Sequence, residues 1–331
     1  MFYMTLVGGI LLAISSNSWV GAWMGLEINL LSFIPIMMNS ENVFTSEASM
    51  KYFLIQALAS SILLFAIMLL TIMEKYQMTN KLSNNNLMMI PLLLKSGVAP
   101  LHWWFPSVME GMNWVNCLIL MTMQKITPMI LMSTIMFPKT QIMFIIMMSV
   151  LIGSLGGLNQ TSLRKMLTYS SINHMGWLLA AMLTSNNLWM IYFTIYVMMI
   201  STMILIININ KISFINQTFM MNYNPILKIL FFINLLSLGG LPPFLGFLSK
   251  WIIIQHMVNN NLMVIMTPMI IFSLITLFYY LRMTYSAFLM IYMKTSWNLF
   301  PSNKNFIINS MLISMSTMGF TIMSLPMSIY L

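Results

Sequence analysis

Apolar residues along this chain come in runs of about 20, separated by short clusters of Asn, Ser, Pro and Lys. A helix of that length, rising about 1.5 Å per residue, crosses a hydrocarbon core of roughly 30 Å. Eleven candidate spans follow, near 2–18, 20–38, 52–73, 86–106, 114–137, 141–157, 166–184, 188–210, 225–257, 261–282 and 306–327. Turn formers fill the connections at 39–47, 80–86, 185–187, 216–225, 259–261 and 296–305. The pattern predicts an all-α polytopic membrane protein. MFYMTLVGGILLAISS runs straight into apolar sequence with neither a basic leader nor an Arg-rich, Ser-rich amphipathic segment, so the first span is expected to be retained as a helix.

Composition narrows this further. Of 331 residues, 60% are hydrophobic and 6% charged, whereas a soluble domain carries about a quarter charged residues. The deficit runs the whole length and no Pro/Gly/Ser-rich linker interrupts it, so one membrane domain over 1–331 is expected. A net charge of +9 would suggest nucleic acid in a soluble protein; here the cations sit mostly in short loops, where a membrane accounts for them.

Those loops alternate. Connections after even-numbered spans, with the helix ends beside them, carry Lys51, Arg164, Lys165, Lys211, Lys228, Arg282, Lys294 and Lys304. Connections after odd-numbered spans carry only Lys75, Lys81 and Lys139. The eight-to-three excess places the N-terminus on the positive side and, with eleven spans, the C-terminus opposite. Cys117 is the only cysteine, and the histidines His102, His174 and His256 lie 72 and 82 residues apart. Neither an iron–sulfur cluster nor a zinc or haem site is expected from such spacing.

Three lysines remain, Lys95, Lys125 and Lys250, each inside an apolar span, and Glu27 joins them from the second span. A charge at the helix centre costs about 2.5 to 3.5 kcal/mol, so four unrelieved charges would cost on the order of 10 kcal/mol. Lys95 and Lys250 could snorkel along their helices to the headgroups. Lys125, eleven residues beyond Trp114 and so roughly 16 Å into its span, is too deep for that. Glu27 would be a favourable N-terminal charge if its helix began at Gly25 rather than near Val20. The functional alternative is a proton relay, because burial disfavours charge, pairing restores it, and groups held between those terms exchange protons when a neighbour moves.

Two spans also look broken. In LLLKSGVAPLHWWFP (92–106), Gly97, Pro100 and Pro106 interrupt the helix just after Lys95. In LGGLPPFLGFLSKW (238–251), Gly239, Gly240, Pro242 and Pro243 interrupt it just before Lys250, in a span that at 33 residues would be about 50 Å long unbroken. Broken helices in two halves, each with a lysine, form the pattern of inverted-repeat transporters with ion sites at the breaks.

KSGVAPLHWWFPSVMEG (95–111), MQKITPMILM (123–132), LNQTSLRKMLTYSSINHMGW (158–177) and GGLPPFLGFLSKW (239–251) occur in that order, and together they resemble the antiporter-like membrane subunits of respiratory complex I in their animal mitochondrial form. The resemblance covers nearly the whole chain. It implies an antiporter-like inverted-repeat fold with half-repeats over about 1–184 and 188–285 and a C-terminal helix over 306–327. Related bacterial subunits carry about three more N-terminal helices, so the first repeat is truncated here. The 42 methionines fit a mitochondrial gene whose code reads AUA as Met, although Met also serves as a flexible core filler.

The resemblance also assigns roles. Glu27 and Lys95 would form a coupling pair, Lys125 the central proton carrier, Lys250 the exit or intersubunit carrier, and His102 a link in the polar path. His102 could equally be a packing residue beside Trp103 and Trp104, and His174 in the stretch Ser170–Asn173 reads as packing. Ser107 stands where the family often has an acid, which leaves any loop acid role in question although Glu110 is near. The implied function is proton translocation in the inner-membrane arm of NADH:ubiquinone oxidoreductase, N-terminus on the matrix side, driven by quinone reduction elsewhere. Flavin, iron–sulfur clusters and ubiquinone would belong to partner subunits, with none in this chain. Implied partners are the neighbouring antiporter-like subunit 4, the small subunit 4L, supernumerary subunits and lipids. A stand-alone cation/proton antiporter and a non-pumping structural subunit, its charges only holding helices in register, are the competing readings.

Overall fold

A computed structural model describes residues 1–39, 42–75, 81–135, 139–185, 187–219 and 225–289. The expected span 306–327, with Lys294 and Lys304, lies outside the described residues. Fourteen helices are present among those described: α1 Phe2–Ser15, α2 Trp19–Met37, α3 Val43–Lys75, α4 Lys81–Ser96, α5 Trp104–Gly111, α6 Trp114–Met121, α7 Met123–Thr134, α8 Lys139–Gly157, α9 Leu163–Thr184, α10 Leu188–Asn210, α11 Ile215–Phe219, α12 Pro225–Gly239, α13 Leu245–Asn259 and α14 Met263–Leu289. Among the described residues, six helical stretches are long and apolar enough to cross a membrane: Trp19–Met37, Val43–Met73, Trp114–Thr134, Lys139–Gly157, Leu188–Asn210 and Met263–Ser286.

Helix α3 shows how burial is distributed. Ser49, Tyr52, Gln56 and Ser60, spaced three and four apart on one face, are buried, while Met50, Phe53, Leu54, Leu58 and Phe65 are exposed. A soluble helix turns its apolar stripe inward; this one turns its polar stripe inward, as a lipid-facing helix does. Many buried serine and threonine hydroxyls donate to a carbonyl one turn back, as in Ser96 to the Leu93 carbonyl at 3.1 Å and Thr122 to the Leu118 carbonyl at 2.7 Å.

The chain forms two compact units, Met1–Ser149 and one beginning at Val150. In the first, α1 and α2 lie backbone to backbone through small residues. A Cβ on Gly9 would meet the Asn29 amide nitrogen at 2.9 Å, and one on Gly25 would meet Ala13. Ser18 caps α2 by accepting from the Gly21 amide at 3.2 Å. The helix therefore starts at Trp19, and Glu27 lies inside it, which removes the N-terminal alternative for that residue. α3 begins nine residues before the expected span, where Lys51 and Glu47 pair one turn apart at 2.5 Å and extend the helix into polar sequence.

Both expected breaks are present. α4 ends in a Schellman turn: Gly97 has φ +70°, its amide donates to the Leu94 carbonyl, and the Val98 amide donates to Leu93, both at 3.2 Å. The chain resumes as α5 at Trp104, whose indole donates to the Leu94 carbonyl at 3.1 Å. In the second unit α12 ends the same way, with Gly240 at φ +89° donating to Ser237 at 3.0 Å and Leu241 to Leu236 at 3.3 Å. One further interruption, at Thr122 between α6 and α7, appears in what the sequence presents as a single span. The second unit is centred on α9, which is buried along most of its length and packs on α10, α13 and α14.

Candidate functional site

Lys95 occupies the last turn of α4, ahead of the Schellman glycine, where carbonyl groups point past the helix end and the helix dipole favours a cation. It is 7% exposed. Most of its side chain is therefore covered by other residues of this chain. Its backbone carbonyl accepts from Gln56 at 3.5 Å. The Glu27 carboxylate on α2 acts electrostatically on Lys95 without an ion-pair contact between them. The expected coupling pair is thus near enough to interact through space, and Glu27 itself is half-buried.

Lys125 lies on α7, three residues beyond the Thr122 interruption, and is 2% exposed. Its ammonium sits 5.0 Å from the centroid of the Phe105 ring, whose face offers partial negative charge to a cation. Phe105 belongs to α5, so the helix that follows the first break supplies the aromatic face for the central lysine. His102, in the loop between α4 and α5, is buried; its Nδ1 lies 3.2 Å from the Pro100 carbonyl and its ring stacks on Trp103 at 5.2 Å. The stack on Trp103 is a packing contact, and the Nδ1 contact is to the loop's own backbone.

Beside Lys95 lies a polar cavity. It encloses about 10 Å³ of space for a water centre, and its polar walls are Asn29, Tyr52, Gln56, Lys95, Gln124 and Thr127. The Tyr52 hydroxyl donates to Gln124 Oε1 at 3.4 Å, and Gln124 Nε2 donates to Asn29 Oδ1 at 2.9 Å. Pro128 lacks the amide that would serve the Gln124 carbonyl, which loosens the helix beside Lys125. An uncharged polar residue inside an apolar span is the signal that could have found this group.

In the second unit Lys250 is 5% exposed on α13. Its ammonium donates to the Gly239 carbonyl at 2.9 Å and lies 5.9 Å from the Trp177 ring centroid. The lysine after the break thus reaches back to the C-terminal end of the helix before it. Gly240 admits this approach, since a Cβ there would stand 3.0 Å from Nζ. Two further groups were undervalued by the sequence. His174 shares a 2.7 Å hydrogen bond with the Tyr192 hydroxyl, and Lys228, counted with the loop cations, is buried on α12. Asn173 Oδ1, Trp177 Nε1 and Asn234 Nδ2 are buried with no hydrogen-bond partner among the described residues, so this interior is polar at several points.

The described residues contain no group of three or more His, Cys, Asp or Glu arranged to hold a metal ion. Among solved structures, a chain of the respiratory complex I of Thermus thermophilus matches with TM-score 0.82 at 21% identity, covering 96% of this chain and 77% of that one. A chain of the Mrp complex of Dietzia sp. matches with TM-score 0.75 at 18% identity, covering 86% and 59%. These likenesses establish the fold. In sequence, the NADH-ubiquinone oxidoreductase chain 2 of Anopheles gambiae is 54% identical over 302 residues, covering 90% of this chain and 88% of that protein. The corresponding chain of Bos taurus is 38% identical over 327 residues, covering 95% and 94%. Residues 16–276 match the family model described as NADH:quinone oxidoreductase/Mrp antiporter, TM, and the chain belongs to that family, among the NADH-ubiquinone oxidoreductase chain 2 proteins.

Proposed function

We propose that this chain is a proton-translocating membrane-arm subunit of NADH:ubiquinone oxidoreductase in the mitochondrial inner membrane. Glu27, Lys95, Lys125 and Lys250, with His102 beside the first break, are the stations of its relay. One observation carries this reading: Lys95, Lys125 and Lys250 are each more than nine-tenths buried in a chain that is 6% charged. Charges are retained at such depth where they do work that an apolar residue could not.

The chain's own residues divide the task. Glu27 acts on Lys95 through space, so a change in the charge of Glu27 alters how readily Lys95 holds a proton. Lys125 receives and passes the proton beside the Phe105 face. Lys250 holds its proton against the Gly239 carbonyl until a neighbour draws it on. Buried polar atoms without protein partners, such as Asn173 Oδ1 and Asn234 Nδ2, suit a hydrated interior that would carry protons between stations. Redox chemistry stays with partner subunits that hold flavin, iron–sulfur clusters and ubiquinone.

The same reading takes the chain as eleven crossings, N-terminus in the matrix and C-terminus in the intermembrane space. The two broken helices are equivalent elements of inverted half-repeats over about 1–184 and 188–285. Subunits 4 and 4L, supernumerary subunits and lipids are its neighbours. The test is Lys125→Met in the assembled complex, measuring protons moved per NADH oxidised. A reduced ratio with normal assembly is expected. An undiminished ratio removes Lys125 from the relay, and loss of assembly alone favours a purely structural role for the buried charges.

A further inference from the structure

We infer that Gln124 is a positioning residue of this relay: its side-chain amide spans from Tyr52 to Asn29 and sets the polar wall of the cavity facing Lys95. The inference rests on the proton-relay reading and adds to it a residue that carries no charge.

Gln124 immediately precedes Lys125 at the start of α7, two residues after the Thr122 interruption. Its oxygen accepts from Tyr52 on α3 at 3.4 Å, and its nitrogen donates to Asn29 on α2 at 2.9 Å. One side chain therefore ties three helices together. An amide has distinct donor and acceptor ends, so using both fixes its direction. It neither gains nor releases a proton near neutral pH, so Gln124 orients carriers without being one.

The position of this bridge gives it a role beyond packing. Asn29 lies on α2 two residues after Glu27, Gln124 immediately precedes Lys125 on α7, and Asn29 and Gln124 both line the cavity that Lys95 lines. About 10 Å³ of water-centre space is close to the least that admits one water. With six polar side chains on its walls such a space takes water, and the Tyr52–Gln124–Asn29 chain decides where the hydrogen bonds of that water point. Of these six, Thr127 has its Oγ1 fully buried and without a hydrogen-bond partner among the described residues. Because Pro128 leaves the Gln124 carbonyl without its helical partner, the side-chain bridge adds a tie between this turn of α7 and helices α2 and α3.

The experiment uses the whole assembled complex carrying Gln124→Leu, which keeps the bulk and removes both hydrogen bonds. Turnover per assembled complex and proton pumping are expected to fall about tenfold, the worth of one buried hydrogen bond. The solvent deuterium effect on turnover should rise to about twofold or more, because a proton step becomes limiting; a packing defect that only lowers the amount of complex leaves that ratio unmoved. Asn29→Leu should reproduce the loss, and the double variant should be no worse than either single one, as expected of groups acting as a unit. Tyr52→Phe, which removes only the longer bond, should cost less than about twofold. Where Gln124→Leu does not assemble, Gln124→Met and Asn29→Leu carry the test with the same outcomes. Wild-type turnover per complex and an unchanged deuterium effect overturn the assignment. Lys125→Met measured in parallel separates the two levels. Loss of pumping there, with Gln124→Leu unaffected, rejects the positioning role alone, whereas full pumping in Lys125→Met rejects the relay beneath it.

Discussion

Lys250 and His174 show at the residue scale how the same degree of burial serves different ends. Lys250 presents its ammonium to the end of the preceding helix, and Lys250→Met would leave the Gly239 carbonyl without that donor. Proton pumping in the assembled complex should then fall while Lys250→Arg, which keeps a cation, loses less; equal loss in both would point to packing against Trp177. His174 is held by Tyr192 at 2.7 Å in the middle of an otherwise packed helix. Tyr192→Phe removes a buried partner and should destabilise the subunit by about 1 to 3 kcal/mol, read as a lower unfolding temperature, with pumping nearly unchanged. A loss of pumping at unchanged stability would instead place His174 among the carriers. Glu27, Lys95, Lys125 and Lys250 could be picked from the chain because a charge in an apolar run stands out. Asn29, Gln56 and Gln124 give a weaker signal, since an uncharged amide at membrane depth costs less and says nothing of its partner.

At the scale of elements, the breaks are set by glycine and proline chemistry and sharpened by close packing. Gly97 and Gly240 adopt positive φ, where a side chain costs roughly 1 kcal/mol or more, so both Schellman turns are specific to glycine. Gly246 is under a different constraint: a Cβ there would run into the Ser237 carbonyl of α12, so the two halves of the broken helix meet backbone to backbone. Gly246→Ala is therefore expected to reduce assembled complex severely, as seen on a native gel, whereas Gly8→Ala on α1, with nothing within 4 Å, should assemble normally. The positions of both breaks were legible because proline and glycine mark them locally. The break at Thr122 was not. Met121, Thr122 and Met123 contain no breaker, and the interruption, with Thr122 at ψ −76°, appears only in the folded chain.

Over the whole molecule, the alternation of basic loops bears on how the chain lies in the membrane. A membrane-impermeant amine reagent should label Lys75 and Lys139 from the intermembrane-space side and Lys51, Lys165 and Lys211 only in inverted inner-membrane vesicles; the reverse pattern would invert the orientation. Apolar run length, scarcity of charge and the order of four motifs are properties of the chain as a line, and they determined the class of protein, the expected spans, the breaks and the charges within apolar runs, because bilayer thickness and desolvation act on each segment separately. Gln124 and Asn29 are 95 residues apart, and Lys250 finds a carbonyl 11 residues back only because the chain folds on itself at the break. Which polar faces adjoin depends on how helices rotate and pack against one another. Close approach at Gly9 and Gly25, a helix start at Trp19 and the turn at Thr122 settle those rotations, and only the tertiary structure holds them.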